Sequence, residues 1–104
     1  MFKTPKIRDR KHRKFIASLP CAICPRTDVQ AAHVRKGNGG GMGLKPSDEF
    51  CVPLCVEHHQ VQGEMGEVNF WFPFGGYQEA TKLALRLYEL TGNHDAALKE
   101  IARF

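Results

Sequence analysis

The stretch Cys51-Val52-Pro53-Leu54-Cys55-Val56-Glu57-His58-His59 decides the fold. Its first part is short and apolar and predicts a strand over Phe50–Leu54, whereas Cys55 to about Met65 has the pattern of a helix. Two residues separate Cys55 from His58. This spacing lets one helical turn direct both side chains at the same ion. The stretch therefore predicts a metal site where a strand meets a helix.

A second pair with the same spacing, Cys21 and Cys24, lies earlier in the chain. Together the two pairs supply four sulfur and nitrogen ligands, which complete the tetrahedral shell of a structural zinc. Cys51 offers an alternative, because it could replace His58 in an all-cysteine site. It lies four residues before Cys55 on the predicted strand. At about 3.3 Å per residue, a strand places the two residues roughly 10 Å or more apart, so we interpret Cys51 as a small buried hydrophobe. The expected zinc ligands are Cys21, Cys24, Cys55 and His58.

The composition indicates one small globular domain over residues 1–104. The chain has 104 residues, of which 42% are hydrophobic and 25% charged, and a core of this size gains from a bound metal. No apolar run approaches the 18 residues of a membrane span. The first fourteen residues are charged throughout and lack the apolar stretch of a secretion signal. We therefore expect a cytoplasmic protein, no membrane association and reduced thiols.

The net charge of +4 is unevenly distributed. Residues 1–20 carry seven Lys or Arg and one Asp, whereas residues 51–104 are net acidic. A basic end is typical of proteins that bind a polyanion, although a solvated helix face has the same composition. Three further cations flank a glycine-rich segment, Gly37–Gly43, whose backbone can approach a phosphate closely. The candidate nucleic-acid contacts are Lys11, Arg13, Lys14, Arg35, Lys36 and Lys45.

The remaining pattern divides the domain into three parts. Residues 1–20 predict a basic N-terminal helix, capped by Thr4 or Asp9 and stopped by Pro20. Residues 21–66 hold the metal ligands, two strands and a helix. Residues 67–104 begin with an aromatic segment rich in Gly and Pro, which predicts a loop that seals the core and could also stack on bases. Two amphipathic helices follow, over residues 78–90 and from Asp95 onwards.

Three polar residues remain outside the zinc set. His33 ends the first predicted strand, Asp48 leads into the second, and His59 lies on the helix that follows. A strand–strand–helix unit brings all three to one place. They predict an open polar cluster beside the zinc site.

The order of these motifs resembles that of the HNH endonucleases. The chain shows C-x2-C, then Ala-His-Val on a strand, Asp before a strand that ends Pro-Leu-Cys, and His-His on a helix. Residues 31–59 followed by Glu67-Val68-Asn69-Phe70-Trp71 are similar to the phage recombination-enhancement, RecA-dependent nuclease group. The resemblance covers about Arg13 to Trp71. It implies an α+β protein with a small ββα-metal (His-Me finger) core, a structural zinc, an N-terminal helix and two C-terminal helices.

The resemblance also implies an activity and the roles of its residues. His33 matches the general base that activates water, and His59 matches a ligand of the catalytic metal. Asp48 matches the residue that orients this base or helps to bind the metal. Mg²⁺ or Mn²⁺ suits a site completed by water and phosphate. The implied function is DNA nicking or cutting in phage recombination or DNA processing. It would take place in a bacterial or phage-infected cytoplasm, with DNA and a recombinase filament as partners.

The chain departs from the family pattern at Gly63. Members usually carry a further metal-ligand His four residues after the last motif His, on the same helical face. Here Gly63 offers no ligand, and Glu64, Glu67 or water is the expected substitute. Gly63 favours one alternative, a zinc-stabilised DNA-binding module with weak or no nuclease activity. A separate alternative is a structural protein that binds a partner through its aromatic surface.

Overall fold

The structure, a computed structural model, describes residues 6–39 and 45–104. Its centre is a two-stranded antiparallel sheet. Strand β1 spans Val29–His33 and strand β2 spans Cys51–Cys55, with His33 opposite Cys51. All five residues of β2 are buried, because helices pack around this strand. The described residues form an α+β unit with this sheet and five helices.

Helix α2 follows β2 without a loop and spans Val56–Met65. Its first turn is capped by Cys55, whose sulfur accepts a hydrogen bond from the backbone N–H of His58. The helix continues through Gly63 and ends at Gly66, which has a φ of +85°. The predicted helix from Cys55 to about Met65 is thereby confirmed.

The N-terminal segment is only partly helical, which corrects the prediction for residues 1–20. Helix α1 spans Arg10–Ala17, and Asp9 caps it by accepting a 2.9 Å hydrogen bond from the N–H of His12. The alternative cap, Thr4, lies outside the described residues. Residues 6–9 lie along residues 45–48 instead of extending the helix. The capping carboxylate therefore sets the start of the helix.

The aromatic segment is also more regular than predicted. Helix α3 spans Glu67–Trp71 and a 3₁₀ turn follows over Phe72–Phe74, where a loop was expected. Phe70 and Trp71 are buried, whereas Phe72 is 79% exposed. The two buried rings make helical geometry favourable here, although the segment is short and contains Pro and Gly. The expected role of sealing the core is confirmed for these two rings.

Two amphipathic helices complete the chain as predicted. Helix α4 spans Tyr77–Glu89 and helix α5 spans His94–Arg103, with Asn93 as its cap. Helix α4 packs on β2, α5 packs on α4, and the ring of Phe104, which follows α5, contacts the Trp71 ring. No helix in the described part of the chain is both long and apolar enough to cross a membrane. The buried residues of these helices are Ala80, Leu83, Ala84, Leu87, Ala97 and Ile101.

Candidate functional site: a Cys3His cluster beside a basic cavity

Three cysteines and one histidine form a compact cluster. The ligand atoms of Cys21, Cys24, Cys55 and His58 all lie within 4.8 Å of one another. Nδ1 of His58 lies 3.6 Å from Cys21 Sγ, 3.6 Å from Cys24 Sγ and 3.2 Å from Cys55 Sγ. The edges of a zinc tetrahedron with these ligands measure about 3.5–3.8 Å. The cluster could hold a metal ion, and the predicted four residues are those that meet.

Local hydrogen bonds place the four ligands. The N–H of Cys21 donates to the carbonyl of Arg26 and closes the turn that contains Cys24. The N–H of Ala22 donates to Pro53, which ties this turn to strand β2. Burial alone would raise the pKa of the Cys21 thiol, but surrounding backbone N–H groups lower it to about 7. This thiol is therefore readily available as a thiolate ligand.

Cys51 lies outside the Cys3His cluster, and this decides against the alternative in which it replaces His58. Its side chain is fully buried beside His33 and Asp48. Burial, reinforced by the negative charge of Asp48, raises the pKa of the Cys51 thiol to about 12. Cys51 therefore behaves as the small buried hydrophobe that was predicted.

The structure also brings His33 and Asp48 together. Nε2 of His33, at the end of β1, lies 2.9 Å from Oδ1 of Asp48, which precedes β2. The carboxylate is 1% exposed and the imidazole 14%. Because Asp48 accepts at Nε2, the neutral form of the ring carries its proton there and has its lone pair on Nδ1. Nδ1 has no hydrogen-bond partner within residues 6–39 and 45–104.

The N-terminal segment supplies the other partners of Asp48. Its Oδ2 accepts a 2.7 Å hydrogen bond from the N–H of Asp9 and lies 3.5 Å from the Arg13 guanidinium. Arg8 lies 3.6 Å from Oδ1. Burial would raise the pKa of Asp48, but these donors and His33 outweigh it and lower the pKa below its usual value. The buried carboxylate is therefore ionised and fully paired near neutral pH.

His59 faces an open cavity of about 650 Å³ that is also lined by His33. Nδ1 of His59 lies 2.7 Å from Oε1 of Gln30, so this nitrogen donates and Nε2 keeps its lone pair. Burial, together with the positive charge of Arg35 and that of His33 whenever His33 is protonated, lowers the pKa of His59. The imidazole is therefore neutral near pH 7 and can accept a proton or bind a metal ion.

The cavity separates the predicted basic residues into two groups. Arg13, Arg35 and Lys45 line it, together with Gly63 and the carboxylate of Glu67. Lys11, Lys14 and Lys36 are exposed but do not line it. Part of the glycine-rich segment, residues 40–43, lies outside the described residues. Of the six candidates, three therefore share the cavity with His33 and His59.

The described residues offer few protein ligands for a divalent metal beside His59. Within the described residues, His59 belongs to no group of three potential metal ligands. In a second such group, His33 with Asp48 and Cys51, the carboxylate is already paired with protein donors and the thiol is not ionised. Gly63 lies in the same lining but adds no side chain. The described donors therefore do not form a closed protein cage for such a metal, and water and other ligands would have to complete its shell beside His59.

Sequence reasoning missed Gln30 and gave Glu67 only as a substitute metal ligand. Gln30 orients His59, and Glu67 accepts hydrogen bonds from the backbone N–H groups of Arg35 and Lys36 at 2.7 Å each. Gln30 belongs to no spaced motif. Gln30 lies three residues before His33 on the same strand, and this proximity was the only available signal.

Comparison with known proteins identifies a family but no activity. A family profile described as "Protein of unknown function (DUF968)" matches residues 1–75. The uncharacterized protein YdfU of Escherichia coli strain K12 is 37% identical over 60 residues, which cover 55% of this chain. The chain spans only 17% of the length of this curated relative. No solved structure matches the chain significantly. The chain belongs to the DUF968 family.

Proposed function

We propose that this protein is a zinc-stabilised endonuclease of the HNH type that hydrolyses phosphodiester bonds in DNA with Mg²⁺ or Mn²⁺. One observation carries the proposal. His33, hydrogen-bonded at 2.9 Å to a buried carboxylate, lines the same basic cavity as His59. A base, a metal-binding imidazole and cations in one cavity are the parts that phosphodiester hydrolysis needs. The β1–β2–α2 unit is, on this proposal, the ββα-metal core.

Zinc is the metal we propose for the Cys3His cluster. Three thiolates and one imidazole form a soft, tetrahedral donor set, which selects zinc over Mg²⁺ or Ca²⁺. The set leaves no open position for water, so the role is structural. The zinc would hold the turn after α1 against the start of α2 and so fix the position of His59, the next residue after His58.

The roles of the two histidines follow from their hydrogen bonds. Asp48 holds the proton on Nε2 of His33, so Nδ1 can take a proton from the attacking water. Gln30 holds the proton on Nδ1 of His59, so Nε2 can bind the divalent ion. This ion would stabilise the charge on the phosphate and the leaving oxygen.

The cations of the cavity supply affinity for DNA. Arg13, Arg35 and Lys45 line the same space as the two histidines. Guanidinium groups bind phosphate oxygens in bidentate fashion, and the side chain of Arg13 is already oriented by buried Asp48. We propose that these three residues hold the backbone of the substrate while the base acts.

A second candidate function is a DNA-binding module that does not cut. Gly63 favours it, because the cavity-facing position where an HNH enzyme carries a second imidazole is empty of side chain. A plasmid-nicking assay with Mg²⁺, with Mn²⁺ and with chelator distinguishes the two functions. Metal-dependent nicking supports the enzyme, whereas DNA binding without nicking supports the module. Adding a recombinase filament to the same assay tests the proposed partner.

A further inference from the structure

The backbone turn after β1 is fixed on two sides. Oε2 of Glu67 accepts a hydrogen bond from the N–H of Arg35, and Oε1 accepts one from the N–H of Lys36, both at 2.7 Å. On the other side, Asn38 donates to the hydroxyl of Thr81 at 2.9 Å. We name residues 35–39 the basic turn. Its conformation depends on a carboxylate that uses both oxygens on two successive backbone N–H groups.

Glu67 connects the basic turn to the helix that carries His59. It is the first residue of α3 and directly follows Gly66, the C-cap of α2. The side chains of Glu67 and Arg35 both line the cavity that contains His33 and His59. Glu67 therefore joins the turn that carries Arg35 to the end of the helix that carries His59.

A carboxylate is an unfavourable group in a cavity that receives a polyanion. Glu67 is the only acidic residue in the described lining of this cavity, and its charge repels phosphate at short range. Its bidentate contact with the turn offers a compensating benefit, because an ordered backbone restricts where the Arg35 guanidinium can reach. Removing the charge of Glu67 should therefore tighten DNA binding, whereas losing its contacts with the basic turn should weaken DNA binding.

We propose that Glu67 is a positioning residue that holds Arg35 towards a DNA phosphate through the backbone of the basic turn. The proposal rests on the proposed function, since it requires DNA in the cavity. Glu67 itself does not contact the substrate. Its removal impairs phosphate binding through Arg35, although it also removes a repulsive charge.

The test measures DNA binding by the full chain in a His33→Ala background, in which cleavage does not interfere. A fluorescent duplex is titrated at several salt concentrations with Glu67→Gln, Arg35→Ala and the double variant. The matched control is Glu64→Gln, since Glu64 bonds Gln60 on its own helix and not the basic turn. Glutamine offers one acceptor oxygen, so it cannot hold both N–H groups.

We expect Glu67→Gln to raise the Kd about five-fold and to lower the salt slope by about one phosphate contact. Glu64→Gln should leave the Kd unchanged or slightly lower. With Arg35→Ala present, Glu67→Gln should no longer weaken binding, because its effect passes through that side chain. Hydrogen exchange of the Arg35 and Lys36 amides should be faster in Glu67→Gln, also without DNA.

Two results would overturn the proposal. One is that Glu67→Gln binds DNA as tightly as the parent or more tightly, as charge alone predicts. The other is additive loss in the double variant, which would mean that Glu67 does not act through Arg35. Failure of the proposed function looks different, since the parent with intact Glu67 would then not bind DNA.

Discussion

His33 and Asp48 are fifteen residues apart in sequence, yet Nε2 of the imidazole lies 2.9 Å from the buried carboxylate. The same carboxylate accepts from the N–H of Asp9 and contacts Arg13. It therefore joins the end of β1 to the N-terminal segment. The group that we propose orients the general base is also a structural connection, so its two roles must be separated by experiment.

Replacing Asp48 with Asn and with Ala separates these roles. Asn keeps an acceptor for His33, so Asp48→Asn should retain part of the nicking activity that we propose. Asp48→Ala leaves Asp9 N–H and two guanidinium groups without their buried partner, and we expect it to cost roughly 3 kcal/mol of unfolding free energy. Nicking assays and chemical denaturation measure the two effects. Equal stability of Asp48→Ala and the parent would contradict this prediction.

Loss of one zinc ligand should unfold the protein at lower temperature. Purified protein should contain about one zinc per chain, and Cys24→Ser should lose it and melt roughly 10 °C lower or more. The control is Cys51→Ala, which alters a buried cysteine outside the cluster. It should keep its zinc and lose only about 1 kcal/mol. Metal analysis and calorimetry check both, and a fully folded, metal-free parent would contradict the structural role.

A histidine at position 63 should tighten the catalytic metal site. Gly63 lies inside α2, and a Cβ there meets no atom within 4 Å. The helix therefore does not end at Gly63, so Gly63→His can add an imidazole one turn after His59 without strain. We expect nicking to reach its half-maximum at a lower Mn²⁺ concentration.

The control for this substitution is Gly63→Ala. It should gain up to about 1 kcal/mol of helix stability without supplying a ligand. Its Mn²⁺ midpoint should equal that of the parent. If Gly63→His and Gly63→Ala reach half-maximal nicking at the same Mn²⁺ concentration, position 63 does not lie beside the metal.

Buried His12 should make stability depend on pH. Its imidazole is fully buried, Nδ1 lies 2.7 Å from the Thr91 hydroxyl, and Nε2 has no partner in the described part of the chain. Burial lowers the pKa of His12, against the opposing charges of Asp9 and Asp48. The unfolded chain therefore takes up a proton first as the pH falls below about 6.5, and folding stability is lost.

The test compares the parent with His12→Phe, which keeps a ring beside Tyr88 but does not titrate. With zinc saturating, we expect the parent to lose more unfolding free energy between pH 7.5 and pH 5.5. The difference in slope should approach, but not exceed, about 1.4 kcal/mol per pH unit. Parallel stability curves for the two proteins would contradict the prediction.

The sequence predicts groups of residues that are close together in the chain, but it does not predict contacts between distant segments. The two pairs of proposed zinc ligands and the helices near residues 56–65, 77–89 and 94–103 follow from spacing and periodicity. The pairing of residues 6–9 with residues 45–48 does not, because it joins segments about 39 residues apart through hydrogen bonds between a backbone group and a side chain. Deleting the N-terminal segment would therefore remove partners of Asp48 as well as positive charge.

The site itself was predictable in its histidines but not in its supporting residues. His33, Asp48 and His59 stand at the ends or starts of the predicted elements, so topology brings them near one another. Gln30 acts through one hydrogen bond and Glu67 through two, all between elements, and residue spacing does not predict these contacts. Helix α3 was missed because five residues with adjacent Pro and Gly carry no periodic signal, although tertiary burial of Phe70 and Trp71 stabilises it.

Nicking of supercoiled plasmid by the parent and by His33→Ala, at equal Mg²⁺ or Mn²⁺, tests the central claim most directly. His94→Ala, which alters an exposed histidine at the start of α5, is the control. The account predicts metal-dependent nicking by the parent and by His94→Ala. It predicts loss of nicking in His33→Ala with zinc content and DNA affinity retained, because the base acts only in the chemical step. Undiminished nicking by His33→Ala, or no nicking by the parent with either metal, would contradict the account.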